Sequence, residues 1–359
     1  MTLGASTQAL RFPIGADMTA PLRLRLDAAA LVANWRALKA MGGKAACGAA
    51  VKADGYGLGA REVVLRLAEA GCRDFFVSTW AEAGELADLA VPVSVLHGVR
   101  AEDMAVPRPG NARPVLNTPA QVLRWREGGG GACDVMIDTG MNRLGLSLAD
   151  VGDGLLDGLA IETLMSHLAC ADEDVAMNAR QRDALAGLAG RTSAKRLSLA
   201  NSAGIALGAD YAFDLTRPGL SLYGGVQVPR LEGAIRQVVA PEAQILQRRR
   251  VPAGATIGYN AAFTAARDME VAVINLGYAD GYLRAMEGHG GGRAGGAALP
   301  LLGRISMDLI ALDVDAAPDL GEGDWIALDY SLPRTAAATG RSQYEMLTGL
   351  GRRFDRVWA

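Results

Sequence analysis

The chain has 359 residues, 36 basic and 39 acidic, for a formal net charge of −3, with 21% charged and 50% hydrophobic residues. That balance excludes a disordered chain and argues against binding nucleic acid or an anionic membrane through a basic surface. The four cysteines are scattered without a C-x-x-C pair, so neither a metal site nor a disulfide framework is expected, and a reducing cytoplasm fits.

The opening MTLGASTQALRFPIGAD lacks the apolar core of a signal peptide, and no run is long and apolar enough to span a bilayer. Residues 1–20 read as a flexible tail, with Met18 a second candidate start. PLRLRLD then alternates apolar and charged residues, the pattern of a half-buried strand. Asp27 caps AAALVANWRALKAMG, a helix that Gly42 stops. Beyond it, short apolar runs alternate with helical or irregular stretches. The strand candidates are Ala45–Val51, Phe75–Ser78, Val93–Leu96, Pro114–Leu116, Asp134–Ile137, Glu162–Ser166, Arg196–Ala200 and Ala212–Leu215. Eight is the number that closes a (β/α)8 TIM-type barrel, here assigned to residues 21–232. From 233 to 359 the texture is extended, with PEAQILQRRRVPAG, MEVAVINLGYADGY and WIALDY, and predicts a β-rich C-terminal domain. EGHGGGRAGGAALP reads as a hairpin connection, not a phosphate cradle, because no helix follows it. ADGY occurs at 53–56 and 279–282, but different elements follow, so it marks no repeat.

AAVKADGYGLGA, residues 49–60, places Lys52 where a buried strand meets a glycine-rich turn before the helical REVVLRLAEAG. Three readings compete. A lone lysine commonly ends a strand by pointing to solvent. Gly55-x-Gly57-x-x-Ala60 matches a relaxed dinucleotide fingerprint, though the acidic residue expected downstream has no clear place. A lysine at a strand end can also form a Schiff base with a carbonyl cofactor.

Polar residues gather at the other strand ends. Asp138 and Arg143 follow the fifth strand, His167 the sixth, Asn201 and Ser202 the seventh, and Arg217 the eighth. Each alone has a plain structural reading, as a cap, a surface ion pair or a hydrogen-bonded histidine. Gathered at one end of different strands, they favour an active site on the C-terminal face of a barrel. Ser202, with backbone amides near Gly219 and Leu220, suits a phosphate. A lysine opposite such a grip and an arginine suits pyridoxal phosphate.

At these residues the chain resembles the alanine racemases, a family of fold-type III pyridoxal phosphate enzymes. AVKADGYGLG is similar to the family's cofactor-lysine signature, and DTGMNRLG, SHLACADE, LANSAG, RPGLSLYGG, LGYADGY and GRISMD follow in the family's order, from about Leu22 to Val357. The likeness disposes of the dinucleotide reading. It implies that Lys52 carries pyridoxal 5′-phosphate and acts as one acid/base, and that Tyr259, in TIGYNAAF, is the second. It further implies that Tyr56 and Ser202, with backbone of Gly219 and Leu220, hold the cofactor's phosphate, and that Asn201 also binds the cofactor. Arg217 would face the pyridine nitrogen, and His167 would support Arg217 and the second base. Arg143 would orient the cofactor phenolate and the substrate carboxylate, to which Met307 would offer a backbone amide beside Asp308.

Some positions depart from the family. Met136 stands where many members have a lysine, often carbamylated, that orients the arginine. Asn260 follows Tyr259 where glycine is common, Leu58 replaces a usual histidine, and Arg352 falls where some members use a phosphate-binding tyrosine. The resemblance implies interconversion of L- and D-alanine by two bases, with D-alanine destined for peptidoglycan. It also implies a cytoplasmic homodimer in which each barrel is capped by the other chain's β-rich domain. Two neighbours stay open: a racemase of broader range, taking serine or larger amino acids, and an amino-acid decarboxylase, which would want a cysteine where Ser306 stands.

Overall fold

The computed structural model describes residues 19–359. The expected tail and the alternative start at Met18 therefore lie almost wholly outside the described residues.

Parallel strands form a closed barrel in chain order. The first is split at Gly48 into Ala46–Cys47 and Ala49–Ala50. It is followed by Phe75–Val77, Val93–Val95, Ala112–Leu116, Ala132–Met136, Ala160–Met165, Arg196–Ser198 and Leu215–Thr216. The split strand makes the closure: Ala49–Ala50 pair with Phe75–Phe76, whereas Ala46–Cys47 pair with Leu215–Thr216. Gly48 is required at this seam. A Cβ there would lie 2.8 Å from both the Asp74 carbonyl oxygen and Phe76 Cε2. The last strand starts later than its apolar run suggests. The chain first makes a 3-10 turn at Ala209–Tyr211 and Phe213 takes φ +50°, so only Leu215 and Thr216 reach the ladder.

The floor of the barrel is ionic. Asp134, fully buried, accepts from Ser94 Oγ at 2.6 Å and Arg113 Nε at 2.9 Å, while Arg196 brackets Asp74 at 2.6 and 3.1 Å. Charges buried this way need such pairing, and the layer leaves the opposite end of the strands free for chemistry.

Eight further strands build a mainly antiparallel sheet that closes on itself around Val239–Val251, and Thr256–Ile257 pairs separately with Phe263–Thr264. One side of that strand pairs with Trp325–Leu328, and its second half pairs with Met269–Ile274. The register shifts between Ile245 and Gln247, leaving Leu246 half exposed. Leu22–Leu26 joins this sheet as well and not the barrel, contrary to the expectation that the barrel starts at residue 21. It runs antiparallel to Val239–Ala243 and parallel to Asp355–Trp358. The alternation in PLRLRLD is obeyed: Leu22, Leu24 and Leu26 are fully buried, and the Arg23 guanidinium stacks on Trp325. Asp27 then caps helix Ala28–Met41 by accepting from Ala30 N at 2.7 Å. The glycine-rich stretch is a hairpin, Gly291–Ala294 against Ala297–Leu302, turning through Gly295 and Gly296 with φ of +54° and +89°. Positive φ at both turn residues is the conformation that glycine pairs supply. No helix among the described residues is long and apolar enough to cross a membrane.

The seam generates a prediction. Gly48→Val should lower stability by about 1–3 kcal/mol, as overpacking against backbone does. A urea midpoint equal to that of the wild type would show that the split strand tolerates a side chain.

Candidate active site

Lys52 follows the split strand and opens a helical turn of the wrong hand. Ala53, Asp54 and Gly55 have φ of 53°, 53° and 61° with ψ near +50°, and Tyr56 has φ 57°. The turn has true helical hydrogen bonds, Gly55 N to Val51 O at 2.8 Å and Gly57 N to Ala53 O at 2.9 Å. Residues one helical turn apart share a face, and Lys52 and Tyr56 both line one cavity of about 440 Å³ at the C-terminal mouth of the barrel. The Tyr56 ring is buried and stacked on Tyr223 at 4.6 Å, and the Tyr223 hydroxyl donates to Ala50 O at 2.8 Å.

The seventh and eighth strands bring up the opposite wall. Asn201 caps helix Ser202–Leu207 by accepting from Gly204 N at 2.9 Å. Ser202 Oγ is the point where the amides of Gly219 and Ser221 converge, at 3.0 and 3.2 Å. A Cβ at Gly219 would overlap the Tyr56 hydroxyl, so glycine there lets Tyr56 and Ser202 face the same space. Leu220 is buried just behind, where it opens the 3-10 turn Leu220–Tyr223. Arg217 is buried and donates inward to Ser166 O at 2.5 Å and to Ser198 Oγ.

Arg143 comes from a loop wound around Asp138. That carboxylate accepts from the amides of Gly140, Asn142 and Arg143 at 2.8, 3.1 and 3.0 Å. Burial opposes its ionisation, but these amides hold the Asp138 pKa below its usual value. Among the described residues the exposed Arg143 guanidinium has no carboxylate within ion-pair distance. Met136 lines the cavity with it.

The cavity is a cationic place. Burial first, then the Arg143 charge, lowers the Lys52 pKa, against the opposing pull of Glu82. Burial lowers the Arg217 pKa to about 10, which leaves it charged at neutral pH. Burial followed by the charges of Arg217, Arg143 and Lys52 takes His167 down to about 3.

Lys52, Tyr56, Arg143, His167, Asn201, Ser202, Arg217 and Gly219 are thus brought to one cavity. Tyr259 and Met307 are not. Tyr259 is 66% exposed and walls a separate cleft of about 540 Å³ in the second domain, with Arg304 and Ser306. Asn260 and Ala261 have φ of 59° and 49°, so the asparagine stands at a left-handed position that it tolerates better than most residues. Met307 is 53% exposed, with its carbonyl held by Ala279 N at 3.0 Å, and Asp308 accepts from Arg353 at 2.7 Å.

The cavity also contains residues that the sequence reading passed over. His97 and Asn117 follow the third and fourth strands, so the strand-end rule that selected His167 applies to them equally. Tyr344 arrives from the short helix Gln343–Thr348, with its ring 6.2 Å from that of Tyr56. Ser342 and Glu345 form a capping box that marks this helix, but no local signal links it to the barrel mouth.

A pH dependence follows from His167. Its unfolded-state pKa is near 6.5 and its folded value is about 3, so the unfolded chain binds the extra proton between them. The His167 contribution to stability is therefore complete above pH ~6.5 and declines as pH falls below it. His167→Asn should flatten the melting-temperature profile between about pH 7 and pH 5. Parallel profiles for the two proteins would show that folding does not lower the His167 pKa.

Comparison with known proteins finds one family across both domains. The alanine racemase N-terminal domain family matches residues 26–227, and the alanine racemase C-terminal domain family matches residues 238–358. An alanine racemase of Acidiphilium cryptum is 42% identical, over 93% of this chain and 98% of its own. An alanine racemase of Bartonella henselae, solved with covalently bound pyridoxal phosphate, superimposes with a TM-score of 0.85 at 32% identity, covering 95% of this chain and all of its own. The biosynthetic alanine racemase of Pseudomonas aeruginosa gives 0.82 at 29% identity, over 95% of this chain and all of its own. With both domains matched in order around one lysine-bearing cavity, the chain belongs to the alanine racemase family.

Proposed function

We propose that this chain interconverts L- and D-alanine by a two-base mechanism, with Lys52 as one base and the partner subunit's Tyr259 as the other. The activity is that of its family, alanine racemisation, and the cofactor is pyridoxal 5′-phosphate. One observation carries the residue assignment. A single amine of lowered pKa lies in a cationic cavity whose wall combines two hydroxyls, converging amides and a glycine that leaves them room. That donor set fits an anionic aldehyde cofactor. Lys52 would bind it through Nζ, Tyr56, Ser202 and the backbone of Gly219 and Leu220 would hold its phosphate, and Asn201 would also bind it. Bound there, pyridoxal 5′-phosphate supplies the electron sink that acidifies the α-proton of an amino acid.

The protein's part is to move one proton on each face of the α-carbon. Burial brings Lys52 nearer to neutrality, which suits a general base. Arg217 remains a cation and can donate a hydrogen bond to a ring nitrogen without releasing its proton, unlike a carboxylic acid at that place. This favours racemisation over transamination. His167, neutral at physiological pH, supports Arg217 without adding charge. Arg143, without an ion pair among the described residues, would take the substrate carboxylate with the Met307 amide. Met136 leaves Arg143 without the orienting carbamate of many relatives. Arg143→Ala should cut activity by about 10²-fold, as a lost orienting charge does.

The exposed position of Tyr259, in a cleft apart from Lys52, supports a shared site. In a head-to-tail homodimer, the barrel of one protomer is capped by the β-rich domain of its partner, residues 233–359 together with the strand Leu22–Leu26. We assign the enzyme to the cytoplasm and its D-alanine to peptidoglycan.

Borohydride reduction of the yellow protein, which should absorb at about 420 nm as this cofactor does when bound to lysine, should fix the label on Lys52. Label on another lysine would defeat the assignment. The shared site has its own test in subunit exchange between Lys52→Ala and Tyr259→Phe proteins. Random exchange makes about half the dimers mixed, each with one intact site of two, so activity should recover to roughly a quarter of wild type. Activity that stays at the mutant level after proven exchange would place both bases in one chain.

A further inference from the structure

The left-handed turn after Lys52 needs an external hold. A left-handed residue other than glycine costs about 1–2 kcal/mol, and Ala53 and Asp54 both adopt it. Such strain persists only where the surroundings over-determine it. The middle and far end of the turn are tied by Val51 O, by the Asp54 carboxylate accepting from Ala60 N at 2.8 Å, and by Arg356 Nε donating to Gly57 O at 2.9 Å. Its first amide, Ala53 N, donates to Glu82 Oε1 at 2.7 Å, across 29 positions of sequence.

Glu82 is suited to this task. It lies in helix Trp80–Gly84, beyond the neighbouring barrel strand, and its other oxygen accepts from Ser78 N at 2.6 Å and Thr79 N at 3.1 Å. The latter bond belongs to a capping box, completed by Glu82 N donating to Thr79 Oγ1 at 3.2 Å. The bond to Ala53 does not belong to it, and capping the helix does not require it. One carboxylate thus joins the ends of two adjacent strands at the mouth of the barrel. Its charge also faces Lys52, against Arg143.

We propose that Glu82 is a positioning residue for Lys52: by clamping the Ala53 amide it sets the start of the left-handed turn, and so aims Nζ into the space that Tyr56 and Ser202 enclose. The proposal rests on the reading of Lys52 as the cofactor lysine. Glutamine is the informative substitution. It keeps the shape of glutamate but has one acceptor oxygen, so it can serve Ala53 or the capping box and not both.

The test compares Glu82→Gln with Thr79→Ala. The second change removes a capping-box bond and leaves the hold on Ala53 in place. Cofactor-free protein is mixed with pyridoxal 5′-phosphate, capture is followed by absorbance, and steady-state constants are measured on the loaded enzyme. Glu82→Gln should slow capture and lower kcat by about tenfold or more, with KM for alanine changed by less than about threefold, because aim is lost while the carboxylate site is untouched. Thr79→Ala should lower Tm and leave both rates near wild type. Two outcomes overturn the proposal: Glu82→Gln within twofold of wild type in both rates, or Thr79→Ala slowing capture equally, which would reduce Glu82 to a helix cap. Borohydride labelling separates the two readings. Label away from Lys52 overturns the parent assignment, whereas label on Lys52 with wild-type rates in Glu82→Gln overturns the Glu82 proposal alone.

Discussion

The cavity depends on a backbone bend of unfavourable hand. Lys52 and Tyr56 are close in sequence, and both must enter a space also bounded by the seventh and eighth strands. A right-handed turn leaving the same strand would direct Tyr56 elsewhere. The left-handed one folds it back onto Tyr223, whose hydroxyl is tied to the strand that precedes Lys52. The surrounding structure is arranged to hold this bend: Glu82 at its start, Asp54 and the amide of Ala60 in its middle, and Arg356 at its end. Removing the strain would remove the convergence.

The two ends of the barrel divide the electrostatic work. At the floor, Asp74 and Asp134 pair with Arg113 and Arg196, and the charges nearly balance. At the mouth, Lys52, Arg143 and Arg217 stand together, with Glu82 acting on Lys52 in the other sense. A cavity with such an excess of cations is favourable for a protein that binds anionic groups. The low pKa of His167 comes first from burial, and the three cations lower it further because a fourth charge there would oppose them.

Much of this was legible in the chain. Short apolar runs separated by helical stretches gave the barrel, and the residues just past those runs gave most of the cavity, because a parallel barrel presents its strand ends on one face. Three features were not legible, each for a physical reason. The alternation in PLRLRLD marks a half-buried strand but says nothing about its partner, and Leu22–Leu26 pairs far away in the second sheet. Tyr344 reaches the mouth through the packing of a distant helix, which leaves no periodic trace. Gly48 looks like one small residue in a run of small residues, and only the approach of Asp74 and Phe76 shows why it cannot be larger.

The placement of Leu22–Leu26 has a consequence for how the molecule is assembled. Arg23 and Glu242 are 219 positions apart, yet they meet across adjacent strands. Topologically the barrel is an insertion in the sheet domain, and the sheet cannot be completed until both flanks of the insertion are brought together. Closing so long a loop from an unfolded chain is entropically costly, and non-local strand pairing is slow. A barrel already folded removes most of that cost, because its first and last strands are hydrogen-bonded neighbours at the Gly48 seam. The barrel therefore acts as a template for its companion, and damage to the seam should be felt in the rate at which the distant sheet forms.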